Sequence, residues 1–287
     1  MLLLKKQFCF FNNWCSFVVT KSLTMKRYII IILFFALFFN ACSTVPITGR
    51  KQISLVSTSQ ILPASLAKYD KVLKEEPLSK DREETEMVKR VGNNLAAAVD
   101  KFLRENGKAA EADAYQWEFN LFENKEENAW CLPGGKVAIY TGILPICANE
   151  DGLAAVMGHE IAHAFAHHGE ERMSEGVLAQ MGGIAVAVGT ANDEHAAMWN
   201  MAYGLGTGLG MLAFSRTHEK EADELGMVFM IMAGYNPEEA VHVWERMAAR
   251  DKSSPPVILA THPSDQQRVN DLKAFLPQAR EYARKYQ

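Results

Sequence analysis

The chain has 287 residues, of which 48% are hydrophobic and 22% charged, enough apolar material for a buried core and too much for a disordered polypeptide. A formal net charge of −4 leaves no basic surplus, and no RNA-binding or phosphate-cradling motif is present, so nucleic acid is not an expected partner. Five cysteines are too few for a fold built on disulfides.

Residues 1–41 carry Lys5, Lys6, Lys21, Lys26 and Arg27, no acidic residue, and an unbroken apolar run from Tyr28 to Phe39. That run is too short to span a bilayer but suits the hydrophobic stretch of a signal peptide. Ala41-Cys42-Ser43 then sets a small residue before a cysteine, as lipoprotein cleavage requires. Residues 1–41 therefore read as a signal peptide and Cys42 as the lipidated residue, with a short uncleaved anchor as the alternative. Met25-Lys26-Arg27 opens a compact signal by itself, which makes residues 1–24 a candidate over-extended start. Cleavage removes five positive charges and leaves 246 residues with a net charge of −9. The expected location is the cell envelope, lipid-anchored and facing the periplasm, with Ser43 leaning toward the outer membrane. Cys131 and Cys147 are a candidate pair in an oxidising compartment, unpaired thiols being the other reading.

Residues 42–60 read as a linker after the lipid, and 61–287 as a single domain. Ile61 to Glu76 and Arg82 to Asn106 have the periodicity of amphipathic helices. Trp117 to Phe122 alternates and predicts a strand, and Val137 to Tyr140 predicts another. From Asp151 onward the pattern is helical, broken near Gly169, in the Gly-rich 204–210 segment, at Gly234-Tyr235-Asn236-Pro237 and at 253–256. The Gly-, Ala- and Met-rich residues 182–214 predict tight helix packing, with a lid over a cleft as the alternative. The expected class is mainly α with a small β-sheet (α+β).

Within the helical half lies His159-Glu160-Ile161-Ala162-His163. On a helix, positions i and i+4 share a face, so two imidazoles grip one zinc ion while the glutamate reaches a water beside it. Asp151 is the predicted N-cap, and Leu153, Val156, Met157, Ile161 and Phe165 supply apolar surface. Two ordinary helix histidines are the competing interpretation. A catalytic zinc needs a third protein ligand. His167 lies about 12 Å along the axis from His159 and cannot share its ion. The best candidate is in Ser215 to Asp223, where Glu219 and Asp223 are again i and i+4. Glu219 is placed to bind the metal, and Asp223 to fix the tautomer of a ligating imidazole from behind. His218 and Glu221 are weaker ligand candidates because they point away from that face. Gly226, nearly on the Glu219 face, lets the two helices approach closely. An acidic, solvated first helical turn is the alternative for this segment.

The HExxH motif followed by a Glu-x-x-x-Asp helix resembles the metallopeptidase family of the CaaX prenyl endopeptidase, which includes a mitochondrial inner-membrane stress protease and bacterial periplasmic lipoprotein proteases. Asn128 to Tyr140 is similar to the strand before the family's zinc helix, His262-Pro263-Ser264-Asp265-Gln266-Gln267-Arg268 to its downstream His-Pro…Arg motif, and Thr44 to Gln52 to the start of the lipoprotein branch. The resemblance runs from about Cys42 to Phe275. It implies a gluzincin-like α+β domain with one Zn²⁺ per chain on His159, His163 and Glu219, and Glu160 as general base. It further implies that His262 and Arg268 stabilise a developing oxyanion, or that His262 occupies the fourth position of the zinc. The strand bearing Asn128, Gly134, Gly135, Lys136 and Val137 is expected to pair with an extended peptide, so the expected substrates are unfolded or misfolded envelope polypeptides. The other function class is a lipoprotein holdase or assembly factor with a structural zinc. An intact Glu160 favours the enzyme.

Overall fold

The structure is a computed structural model that describes residues 42–189, 215–250, 257–262 and 266–286. The expected signal peptide, the Gly-rich 204–210 segment and Pro263 to Asp265 lie outside the described residues.

The segment expected to be a linker is folded onto the domain. Strands β1 (Cys42–Thr44) and β2 (Lys51–Ile53) pair antiparallel, with Ser43 opposite Gln52, and Val45 in the intervening turn is buried in the main core. Helix α1 (Thr58–Glu75) follows, opened by a capping box between Ser57 and Gln60. Helix α2 (Arg82–Glu105) starts where the Asp81 carboxylate accepts from the Glu84 amide. Val88, Val91, Leu95, Val99 and Phe102, at spacings of three and four, form its buried stripe. Both helices fall within a few residues of the spans the periodicity predicts. A short α3 (Ala109–Ala114) leads to the sheet.

The predicted strand over Asn128 to Tyr140 is two strands. β4 (Ala129–Leu132) and β5 (Lys136–Tyr140) form an antiparallel hairpin, and β3 (Glu118–Phe122) lies parallel to β5 on its other side. The turn depends on Gly134 and Gly135, both at positive φ, where a Cβ would collide with Leu62 and Trp117 respectively. The order β3-β5-β4 corrects one expectation: both edges of β5 are taken, so Lys136 and Val137 cannot pair with a peptide. Among the described strands the free edge near the zinc-motif helix belongs to β4, which packs against that helix. Cys131 on β4 and Cys147 are both free thiols.

After a short α4 (Leu144–Cys147), α5 (Glu150–Phe165) carries the HExxH motif through the middle of the molecule. Every residue from Gly152 to Phe165 is buried, as befits a helix covered on all sides. Its N-cap is Asn149, whose side chain accepts from the Gly152 amide. The predicted cap, Asp151, is in the first turn and holds the Asn236 amide instead. The chain turns at His167 (φ 56) into α6 (His168–Gly189) and returns with α7 (Arg216–Met232), capped by Ser215. Helices α8 (Glu238–Ala248), α9 (Ile258–Thr261) and α10 (Gln266–Ala283) close the far side. No helix among the described residues is long and apolar enough to cross a membrane.

Helices α5 and α7 make the most extensive pairing in the fold. They cross at Gly158 and Gly226, where a Cβ on Gly226 would lie 2.9 Å from backbone atoms of Gly158 and His159. The close approach expected of Gly226 is therefore present. Because the obstructing atoms are backbone, Gly226→Ala is expected to destabilise the fold by about 1–3 kcal/mol. Chemical denaturation with the wild-type midpoint would contradict this crossing.

Candidate active site

The α5–α7 crossing brings the predicted ligands together. His159 Nε2 and His163 Nε2 are 3.0 Å apart, and Glu219 carboxylate oxygens lie 3.4 Å from the first and 3.3 Å from the second. His262, at the end of α9, puts Nδ1 3.0 Å from Glu219 Oε1 and 3.2 Å from His159 Nε2. All four residues are buried, and their ligand atoms lie within 4.8 Å of one another. A tetrahedral zinc with bonds of about 2.0–2.1 Å separates its ligand atoms by roughly 3.3 Å. The spacings of this donor set, nitrogen and carboxylate oxygen, fit that ion. A second group, Glu171, Glu175 and His218, also gathers ligand atoms. There Glu171 is already engaged by both terminal nitrogens of Arg50, at 2.9 and 2.7 Å, which makes it a poor competitor for a cation.

The imidazoles are oriented from behind. His159 Nδ1 lies 3.0 Å from Asp223 Oδ1, a contact that holds a proton on Nδ1 and turns Nε2 toward the other donors. His163 Nδ1 lies 2.8 Å from His168 Nδ1, and His168 Nε2 lies 2.9 Å from Glu221 Oε2. The sequence places Glu221 among weak ligand candidates and gives no sign of a role for His168. The structure has the pair supporting His163. His168 is five residues from His163, beyond the end of α5, so helical spacing gives no signal of the contact.

Arg268 departs from its expected role. Its Nε and Nη2 donate to Asp223 at 2.6 and 2.8 Å, Nη1 lies 2.8 Å from Glu219 Oε2, and the guanidinium sits 3.3 Å above the Trp244 ring centre. Clamped to two carboxylates and stacked on an aromatic face, it is spent on positioning Asp223 and Glu219 rather than poised for an oxyanion. Neither Trp244 nor the Arg50 contacts are foreseeable from the sequence, because their partners lie on other elements. His167, excluded as a ligand, instead faces Glu111 and Glu170 at 3.5 and 3.3 Å.

Charge in this buried site is tightly coupled. Burial and the Arg268 charge pull His159 down, but hydrogen bonds that it donates to the Asp223 and Glu219 carboxylates outweigh them and raise it to about 9. Burial holds His163 well below the usual histidine range and His168 at about 4. Burial opposes ionisation of Glu219, yet the surrounding imidazoles hold it well below the ordinary carboxylate range. Glu160 is pushed up by burial, and its Oε1 is a buried atom with no hydrogen-bond partner among the described residues, 3.6 Å from His262 Nε2. A carboxylate of raised basicity with a vacant acceptor fits a general base.

Two comparisons bear on this site. A family model described as Peptidase family M48 matches residues 87–276. The Saccharomyces cerevisiae protein named Mitochondrial metalloendopeptidase OMA1 is 37% identical over 177 residues, covering 59% of this chain and 50% of its own. Its Schizosaccharomyces pombe namesake is 35% identical over 166 residues, 57% of this chain and 48% of its own. The Beta-barrel assembly-enhancing protease of Escherichia coli is 31% identical over 164 residues, 54% of this chain and 33% of its own. The chain thus spans half or less of the length of these relatives in the matched region.

With His159 protonated below about 9 in the metal-free protein, a cation binding at its Nε2 must displace a proton. Zinc affinity is expected to rise by about tenfold per pH unit between pH 6 and 8, and to level off as pH passes the His159 value. Competition against a chelator across that range checks this; a pH-independent affinity would contradict a charged His159.

Proposed function

The chain belongs to peptidase family M48, and from that premise we propose that it hydrolyses internal peptide bonds of unfolded or unassembled cell-envelope polypeptides, using one zinc ion per chain. The observation that carries this reading is the group of His159, His163 and Glu219 donor atoms at tetrahedral spacing beside the unpartnered oxygen of Glu160. These three residues hold the metal, and Asp223, Arg268 and His168 keep them aimed. Bound zinc supplies Lewis acidity to a water and to the scissile carbonyl. Glu160 takes the water proton on its vacant oxygen and delivers it to the leaving amine. A structural zinc site has no use for such a base, which argues against a holdase.

β4 packs against α5 and is an edge strand, and its unpaired side offers main-chain groups to an extended peptide. Main-chain pairing selects unfolded segments and tolerates many side chains, which supports unassembled polypeptides as the substrate class. The lipoprotein-like Ala41-Cys42-Ser43 sequence supports a periplasm-facing lipid anchor, with the outer membrane as the membrane of choice, and the Escherichia coli relative is named a protease that enhances β-barrel assembly. Relatives named as mitochondrial match 57–59% of this chain, so that likeness alone does not choose between compartments.

His262 stands against His159 and Glu219, where it would meet substrate and water approaching a zinc held by these residues. We read this arrangement as a latent state that opens when His262 withdraws. Purified protein is expected to cleave casein, and Glu160→Gln to retain zinc while losing about two or more orders of magnitude in rate. Equal cleavage by both proteins would sink the assignment of the base. In the same assay, His262→Ala is expected to cleave faster than the wild type. A loss of activity would assign the imidazole to oxyanion stabilisation instead, and an unchanged rate would remove it from both roles.

A further inference from the structure

The turn between β1 and β2 reaches the underside of the metal site. Arg50 Nε donates to Glu221 Oε2 at 2.7 Å, while Nη1 and Nη2 reach Glu171 at 2.9 and 2.7 Å, and Nη2 also donates to Gln52 Oε1 at 3.2 Å. The Thr48 hydroxyl of the same turn donates to the other Glu221 oxygen. Glu221 in turn accepts from His168 Nε2 at 2.9 Å, and His168 Nδ1 faces His163 Nδ1 at 2.8 Å. His168 stacks on His218, their ring centres 4.5 Å apart, and His218 Nε2 contacts Glu171 at 3.0 Å. His168, His218, Glu171 and Glu221 are all buried.

We propose that Arg50 is a positioning residue for the metal site, acting through Glu221 and His168 on His163. For His163 to offer its Nε2 lone pair to a cation, its proton must sit on Nδ1 and have an acceptor there. His168 Nδ1 is that acceptor only when the His168 proton is on Nε2, and the Glu221 carboxylate holds it there. Two buried carboxylates, Glu171 and Glu221, are fixed side by side by one guanidinium whose fork matches both. Without Arg50 they repel, Glu221 loses its fixed place under His168, and the orientation of His163 is no longer set. The N-terminal hairpin, which opens at Cys42, thereby becomes part of the metal site rather than a tether to it.

The inference rests on His163 holding zinc, as proposed above, and one experiment separates the two claims. Zinc affinity of the full chain is measured by competition against a chelator for the wild type, Arg50→Gln, His168→Phe and the double variant. Arg50→Gln is expected to bind zinc roughly 10–100-fold more weakly. In the His168→Phe background the same change is expected to weaken binding by no more than about twofold, since the path it acts through is gone. Wild-type affinity in Arg50→Gln overturns the proposal, and so does an equal loss in both backgrounds, which marks a merely structural role. A wild type that binds no zinc defeats the metal assignment itself. Should Arg50→Gln fail to fold, Glu221→Gln takes its place in both arms with the same expectations and the same overturning results.

Discussion

Gly158 and Gly226 set the distance between α5 and α7, and that distance decides whether one cation can touch both helices. The two imidazoles come from α5 and the carboxylate from α7, with Glu219 roughly two turns before the crossing. Zinc bonds tolerate only a few tenths of an ångström. A methyl group on Gly226 meets backbone on the other side and has no flexible side chain to push away. The remainder of the fold serves this crossing: α2, the sheet and α8 pack against α5, while α10 packs against α7.

Placing so many ionisable groups in the interior requires that each have a partner, because an isolated buried charge is far costlier than a paired one. The pairing here is layered. Around the four inner donors, Asp223 supports His159, Arg268 bridges Asp223 and Glu219, and His168 supports His163. Farther out, Arg50 joins Glu221 to Glu171, and His218 closes the ring onto Glu171. Glu160 Oε1 is buried without a hydrogen-bond partner among the described residues. An unsatisfied acceptor beside such a network is the arrangement expected where a proton must be taken up during turnover.

Much of the inner layer is legible in the sequence because it obeys helical periodicity. The i, i+4 relation places His159 with His163, and Glu219 with Asp223, on shared faces, and Gly226 follows the latter. The α+β class and the spans of α1 and α2 are legible for the same reason. The outer layer is not, since Arg50, His168, Glu171 and Trp244 act across elements distant in sequence, and no spacing rule links a hairpin turn to α6 and α7. Arg268 is recognisable as important, but its function depends on which acids surround its guanidinium. Similarly, alternation finds the strand residues around β5 without revealing strand order, and strand order is what leaves β4 rather than β5 with a free edge. Residues 42–60 read as a linker because three-residue strands carry too little pattern to be seen, although Val45 and Gln52 are buried.

We propose that His159, His163 and Glu219 would together hold one zinc ion, with His262 beside them in the resting protein. Anomalous diffraction at the zinc edge from crystals of the zinc-loaded protein tests it most directly. The account predicts a single strong peak at about 2.0–2.2 Å from His159 Nε2, His163 Nε2 and a Glu219 oxygen, with His262 beside it. A peak on Glu171, Glu175 and His218 instead, or no peak between α5 and α7, would contradict it.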